Sequence, residues 1–316
     1  MADSRRGLDL ARQLYEEYGR TILEERLPDL VPHMAVGLVG EGSECFGFDD
    51  EISRDHDWGP AFCIWLPQDM LIENVDRIDA ALARLPETYA GFAVRMAPDV
   101  RMNRVGPLPI EGFYRRFLNV PRCPETLAEW RAIPETYLAV ATNGEVFADP
   151  AGIFSGIRSR LLDFYPEDIR IKKLAARCVA AAQAGQYNLP RMMSRYACTA
   201  VNICRIRFTE AIISMVFLLH RRYMPFYKWA DKAMAALSPL GAGISASLEQ
   251  LNCLSPLENS ARDFSVLVED ICQRMVDELM RQGLTTSNDP WLYEQGPAVQ
   301  AHVQNEALRS LPVQFE

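Results

Sequence analysis

Two aspartates one residue apart, Asp55 and Asp57, are the residues whose types and spacing point most directly to chemistry. Read as the opening of a strand, Asp55-His56-Asp57-Trp58 places both acids on one face and His56 and Trp58 on the other, because strand side chains alternate. Paired carboxylates repel, and burying them without a cation is costly. A hard Mg²⁺ turns that repulsion into a binding site, since it takes carboxylate oxygens together with substrate phosphates. Upstream, the apolar run Val36, Leu38 and Val39 predicts a buried strand. It leads into Gly40-Glu41-Gly42-Ser43, where the backbone can bend tightly and expose its amides. The Gly42 and Ser43 amides, placed at the start of a helix, suit phosphate oxygens. A phosphate cradle followed by a metal-binding pair is equipment for handling nucleotides. His56, on the face away from the acids, reads as a core or supporting histidine rather than a ligand. Asp49 and Asp50 read either as loop-turning residues or as contacts to substrate or metal.

The elements that must position these groups follow from periodicity. Leu8 to Leu27 carries apolar residues at helical spacing and is followed by Pro28, which predicts an amphipathic helix on the sheet. Ile72 to Leu85 is again helical and stops at Pro86. Two further strands are expected over Gly91 to Met102 and Val105 to Phe113, the second irregular or at an edge because of Gly106, Pro107 and Pro109. Tyr137 to Phe147 reads as a helix that stops near Asn143-Gly144 and hands over to a short extended piece. From Ile153 the strand signal fades. Helices are expected over Glu167 to Ala184, Met192 to Arg221, Phe226 to Leu237, Ile244 to Leu251 and Asn259 to Arg281, with prolines between them. The tail after Gly283, with Pro290 and Pro297, is expected to wrap the surface or move. Helices alternating with strands make residues 1–165 α/β or α+β, and residues 166–316 read as an α-helical bundle.

Bulk properties narrow the partners. The 316 residues are 49% hydrophobic, enough for two cores. A net charge of −9 argues against a nucleic-acid binder, which carries a basic face. The N-terminus lacks the apolar core of a signal peptide, and the longest apolar run, Ala211 to Leu219, is too short to span a bilayer. Eight scattered cysteines without a CxxC, and four distant histidines, disfavour zinc and predict free thiols in the reducing cytoplasm.

A glycine-serine at a strand end, a loop of positions 44 to 54, and Asp55 with Asp57 on the next strand resemble the signature of polymerase-beta-like nucleotidyltransferases. The longer strings Gly47-Phe48-Asp49-Asp50 and Ser53-Arg54-Asp55-His56-Asp57-Trp58-Gly59 resemble one bacterial branch known as a domain of unknown function. Ile110-Glu111-Gly112-Phe113, the segment from Ile133-Pro134 to Gly144-Glu145-Val146-Phe147, and Arg221-Arg222-Tyr223 with Lys228-Trp229 extend the likeness over most of the chain. The resemblance implies an α+β chain, a nucleotidyltransferase fold with a small mixed sheet and flanking helices followed by the α-helical bundle, and Mg²⁺-dependent transfer of a nucleoside monophosphate to an acceptor hydroxyl, with pyrophosphate released. It implies Asp55 and Asp57 as metal ligands, with Glu111 as a third carboxylate and Asp99 as runner-up. It also implies Ser53 and Lys228 as nucleotide contacts beside Gly42 and Ser43. Antibiotic-modifying relatives take a general base from the helical domain, a role that falls here on Glu210. Its alternative is an ion pair with a neighbouring arginine, and Lys228 could equally be a snorkelling surface lysine.

The expected donor is ATP, the acceptor a small molecule or a protein hydroxyl, and a homodimer is compatible with the sequence. The competing expectation is a catalytically degenerate, nucleotide-binding or regulatory module of the same fold. An HD-type phosphohydrolase built on His56-Asp57 ranks third, because that dyad falls in a strand context and the other histidines do not fit.

Overall fold

The computed structural model describes residues 6–55, 58–256 and 258–316. Contacts divide the chain into two compact units, Met1–Asp163 and Phe164–Glu316. The first is α+β and the second helical, so the fold class is the expected one: a small mixed sheet with flanking helices, then a helical unit.

In the first unit the chain opens with α1 (Gly7–Leu14), a π-helical turn (Tyr15–Gly19) and α2 (Arg20–Arg26). This is the amphipathic run expected over residues 8–27, loosened by one wide turn that places Tyr15 against Phe62 and Phe147. Strand β1 (Ala35–Leu38) follows, then the short helix α3 (Ser43–Phe46), and then β2 (Cys63–Leu66). Helix α4 (Gln68–Leu82) leads to a small hairpin, β3 (Thr88–Tyr89) and β4 (Phe92–Ala93). Strand β5 (Gly106–Pro109) runs straight into α5 (Ile110–Leu118). Helices α6 (Leu127–Ala132) and α7 (Glu135–Thr142), strand β6 (Glu145–Ala148) and helix α8 (Ile153–Leu162) complete the unit.

The sheet order is β5-β2-β1-β6. Strand β1 pairs antiparallel with β2 and with β6, while β2 and β5 are parallel. Every residue of β1 and β2 is buried, which fits their continuous apolar runs. Trp65 of β2 stacks on Phe154 at 4.0 Å and meets Phe113 edge-on, tying the sheet to α5 and α8. The proline-rich β5 takes an edge, where the missing N–H groups leave no gap in the ladder. The registers Gly37↔Cys63, Cys63↔Gly106 and Leu38↔Glu145 place the exit of β1 beside the entries of β2, β5 and β6. Four strand ends therefore converge on one end of the sheet.

Three expectations are corrected here. Asp55 closes a 3-10 turn, Ile52–Asp55, rather than opening a strand, and β2 begins only at Cys63. Gly59 and Pro60 interrupt the extended path, and the regular apolar stretch starts after them. The segment 91–102 contributes only the two residues of β4, and all of 110–113 is the first turn of α5 rather than strand. The tail does not simply lie on the surface. It forms two further helices, Leu292–Gln300 and Glu306–Arg309, with Leu292, Val299, Val303 and Leu308 buried.

The second unit contains α9 (Glu167–Ala181), which continues through a π-helical stretch (Ala182–Asn188) into α10 (Leu189–Met193). It continues with α11 (Cys198–Leu219), α12 (Tyr227–Ala235), α13 (Leu240–Cys253) and α14 (Ala261–Arg281). Helices α15 (Leu292–Gln300) and α16 (Glu306–Arg309) close the chain. Helix α9 is central to this unit: α11 and α15 both pack on it, and it is buried on nearly all sides. The helix expected over 192–221 is broken at residues 194–197, where Tyr196 adopts a positive φ of 55°. No helix among the described residues is long and apolar enough to cross a membrane.

Candidate phosphate-binding site

The turn after β1 sits where the four strand ends meet. Gly42 is the N-cap of α3 and Ser43 its first residue, as expected for a phosphate cradle. Gly47, at φ 71°, ends this one-turn helix. The turn is fixed from β6's side: the Gly40 N–H donates to Asn143 Oδ1 at 3.0 Å, and Asn143 Nδ2 donates to Gly40 O at 2.6 Å. The Gly144 N–H donates to Cys45 O at 2.8 Å, binding the same corner to α3.

A cleft beside this turn is lined by Gly40, Gly42, Glu44, Arg95, Arg104 and Arg116, with an apolar floor that includes Leu38 and Phe113. The arginines arrive from separate elements: Arg95 after β4, Arg104 before β5, and Arg116 from the last turn of α5. Arg116 donates to the Glu41 carboxylate and to Asn103 O. Glu41 and Glu44 line the same cleft and pair with Arg116 and Arg95, so its charge is mixed, with the arginines in excess.

Glu44 is the unexpected member. It is buried, its carboxylate lies 3.7 Å from Arg95 Nη2, and it folds back against Gly42 so closely that a Cβ there would sit 2.4 Å from Oε2. Burial pushes this carboxyl above the ordinary glutamate range, while its own backbone N–H and Arg95 pull it partly back. The neighbouring thiols of Cys45 and Cys63 are fully buried and pushed up, Cys63 to about 12, so neither is a ready nucleophile.

The other expected site residues fare differently. The backbone of Asp55 ends the 3-10 turn, while Asp57, with His56, lies outside the described residues. The shared face of the two acids therefore cannot rest on strand alternation. Ser53 donates through N–H and hydroxyl to Asp50 Oδ1, both at 2.9 Å, so it closes the loop on itself. Asp49 accepts from the Gly7 N–H at 2.7 Å and from Trp58 Nε1 at 3.0 Å, which pins the loop to α1. Glu111 stands in the first turn of α5, and its Oε2 accepts from the Gln68 N–H at the start of α4. Strand β5 runs away from the Gly40 turn, with Leu66 opposite Pro109, so Glu111 lies at the far end of the sheet and satisfies a helix terminus. Asp99 is on an exposed turn.

In the second unit, Glu210 of α11 is exposed and lines a cavity of about 710 Å³ together with Arg207, Thr209, Gln183 and Asn252. Arg205 donates instead to Leu254 O and Asn202 Oδ1. Lys228 is exposed at the start of α12, with Nζ 4.3 Å above the Trp229 ring. Among the described residues no group of three or more His, Cys, Asp or Glu could hold a metal ion.

The sequence did not single out Glu44, Arg95, Arg104, Arg116 or Asn143 as site residues. The arginines are spread over separate elements and carry no spacing signal. Asn143 is legible only as a helix stop, because its partner, Gly40, is distant in sequence.

Residues 130–230 match a family described as a domain of unknown function, DUF4037. The match includes Asn143, Glu210 and Lys228 but not the Gly40–Asp57 stretch. No curated protein matches the chain. Among solved structures, the chain is similar to a nucleotidyltransferase-like protein from Exiguobacterium sibiricum, at 13% identity over 88% of this chain and 78% of that one, with a TM-score of 0.38.

Proposed function

We propose that the protein is a Mg²⁺-dependent nucleotidyltransferase, moving a nucleoside monophosphate from a nucleoside triphosphate, ATP foremost, to a hydroxyl of a small molecule or protein. The observation that carries this reading is the gathering of Arg95, Arg104 and Arg116 around the Gly42–Ser43 turn. The reading is further supported by the loop from Ser43, which leaves and returns to this same end of the sheet with Asp55 on its way. Amides of the turn and the arginines would share the charge of the triphosphate and orient it. Asp55 and Asp57 offer the hard oxygen donors that suit Mg²⁺, and the ion would neutralise phosphate charge when bound. Glu210 is proposed as the base that takes the acceptor's proton, because its carboxylate opens on a cavity large enough for an organic acceptor. Lys228 is retained as a triphosphate contact.

A second reading has its own support. Glu44 lies against the turn, and Glu111 lies at the opposite end of the sheet, as a nucleotide-binding module without turnover would tolerate. The two readings separate in one assay, Mg²⁺-dependent pyrophosphate release with each nucleoside triphosphate and candidate hydroxyl acceptors. Transfer activity predicts release that Asp55→Asn or Asp57→Asn reduces at least about a thousandfold, as loss of a catalytic electrostatic group does. Binding without release in the wild-type protein favours the module, and neither binding nor release rejects both.

A further inference from the structure

We propose that Asn143 is the positioning residue of the Gly40–Ser43 turn, setting its amides for a polyphosphate, with Arg158 holding Asn143 in place; this rests on the nucleotide reading above. The side-chain amide of Asn143 engages both polar groups of Gly40, accepting from N–H at 3.0 Å and donating to C=O at 2.6 Å. It thus acts as one more rung beyond the last β1–β6 pair, Leu38↔Glu145, at the point where the strand gives way to the turn. An amide is suited to this because it carries a donor and an acceptor side by side, which a carboxylate does not.

Asn143 is itself anchored. Arg158 of α8 directs Nη2 at the carbonyls of Thr142, Asn143 and Gly144, at 2.7, 3.0 and 3.2 Å. The Thr142 carbonyl is the last of α7, where a cation is favoured, and the other two follow it in the link to β6. The Asn143 backbone is therefore fixed by Arg158, and its side chain is left to hold Gly40. The Gly144 N–H then closes the arrangement on Cys45 O of α3. Gly40, through Asn143, and α3, through Gly144, are both referred to one corner. Neither Asn143 nor Arg158 lines the arginine cleft itself.

The test measures Kd of the full-length protein for inorganic tripolyphosphate and for each of ATP, CTP, GTP and UTP with Mg²⁺, alongside thermal stability. Asn143→Ala is expected to weaken binding about tenfold, the size of one or two lost hydrogen bonds. Thr126→Ala, which removes the N-cap of α6 away from the turn, is expected to lower Tm and leave Kd unchanged. Asn143→Asp supplies the second readout. Its carboxylate faces the Gly40 carbonyl at neutral pH, but a protonated carboxyl again offers one donor and one acceptor. The ratio of its Kd to that of the wild type should therefore narrow as pH falls from 7.5 through the ordinary aspartate range, to about pH 4. Wild-type Kd values in Asn143→Ala, or no narrowing in Asn143→Asp, overturn the positioning role while leaving the nucleotide reading intact. A wild-type protein that binds none of the five probes overturns both.

Discussion

Glu44 concentrates the conflict between stability and binding at the scale of a single residue. A buried carboxylate is held against a turn whose amides suit an anion, with Arg95 nearby. Because the folded state keeps the Glu44 proton to higher pH than the unfolded chain does, this group favours folding in acid. It weakens folding as pH rises through and above the ordinary glutamate range. Glu44→Gln removes the titration, so its melting temperature should exceed that of the wild type at pH 7–8. The advantage should shrink as pH falls toward 4.5, which a pH series of thermal melts reads directly. The arginines make a complementary prediction. Arg95→Ala, Arg104→Ala and Arg116→Ala should each weaken tripolyphosphate binding by about ten- to a hundredfold, as expected for loss of a charged hydrogen bond. The loss should shrink at high salt, where exposed charge interactions are screened. Equal Kd values for the wild type and all three variants would remove the main support for the proposed function.

At the scale of elements, two junctions hold the architecture. Gly144 connects α7 to β6 at φ 57°, and a Cβ added there would lie 1.9 Å from Leu38 O. Gly144→Ala combines a left-handed backbone penalty with a forced separation of β1 and β6. It should cost about 3 kcal/mol or more in a urea titration. The second junction joins the tail to α9. Lys172, almost fully buried, donates to Gln300 Oε1 and to the carbonyls of Leu311 and Pro312. Lys172→Ala leaves those acceptors without this donor and should destabilise by about 3 kcal/mol. A chain ending at Gly283 loses α15 from the face of α9, and its far-UV circular dichroism should fall by more than the deleted helices account for. A loss no larger than those helices would mean that the tail merely rests on α9.

For the whole molecule, the division at residues 163 and 164 lets the proposed turn-and-arginine site be tested apart from the second unit. The Gly42–Ser43 turn and the three arginines belong to the first unit, and the cavity at Glu210 belongs to the second. A fragment of residues 1–163 keeps the turn and the three arginines but lacks Lys228, so if it folds, judged by its proton NMR dispersion, calorimetry should show tripolyphosphate binding that is retained but weaker than in the full chain. Nucleotidyl transfer should require the full chain. Transfer by the fragment alone would remove Glu210 from the mechanism.

The sequence by itself determined those features that depend on neighbours along the chain. The amphipathic opening helix, the buried run of β1, the glycine-serine turn beginning α3, and the helix stop at Asn143-Gly144 are all written in local periodicity and turn chemistry. Local pattern misled where an apolar run was extended too far back: Asp55 ends a 3-10 turn, and only the buried stretch from Cys63 pairs with β1. Tertiary structure alone decided which distant groups meet. Strand order brought Asn143 to Gly40 and three arginines to one turn, and strand direction carried Glu111 to the opposite end. The physical reason is that a side chain's type is set locally, whereas its partners are set by register and packing between segments far apart in the chain.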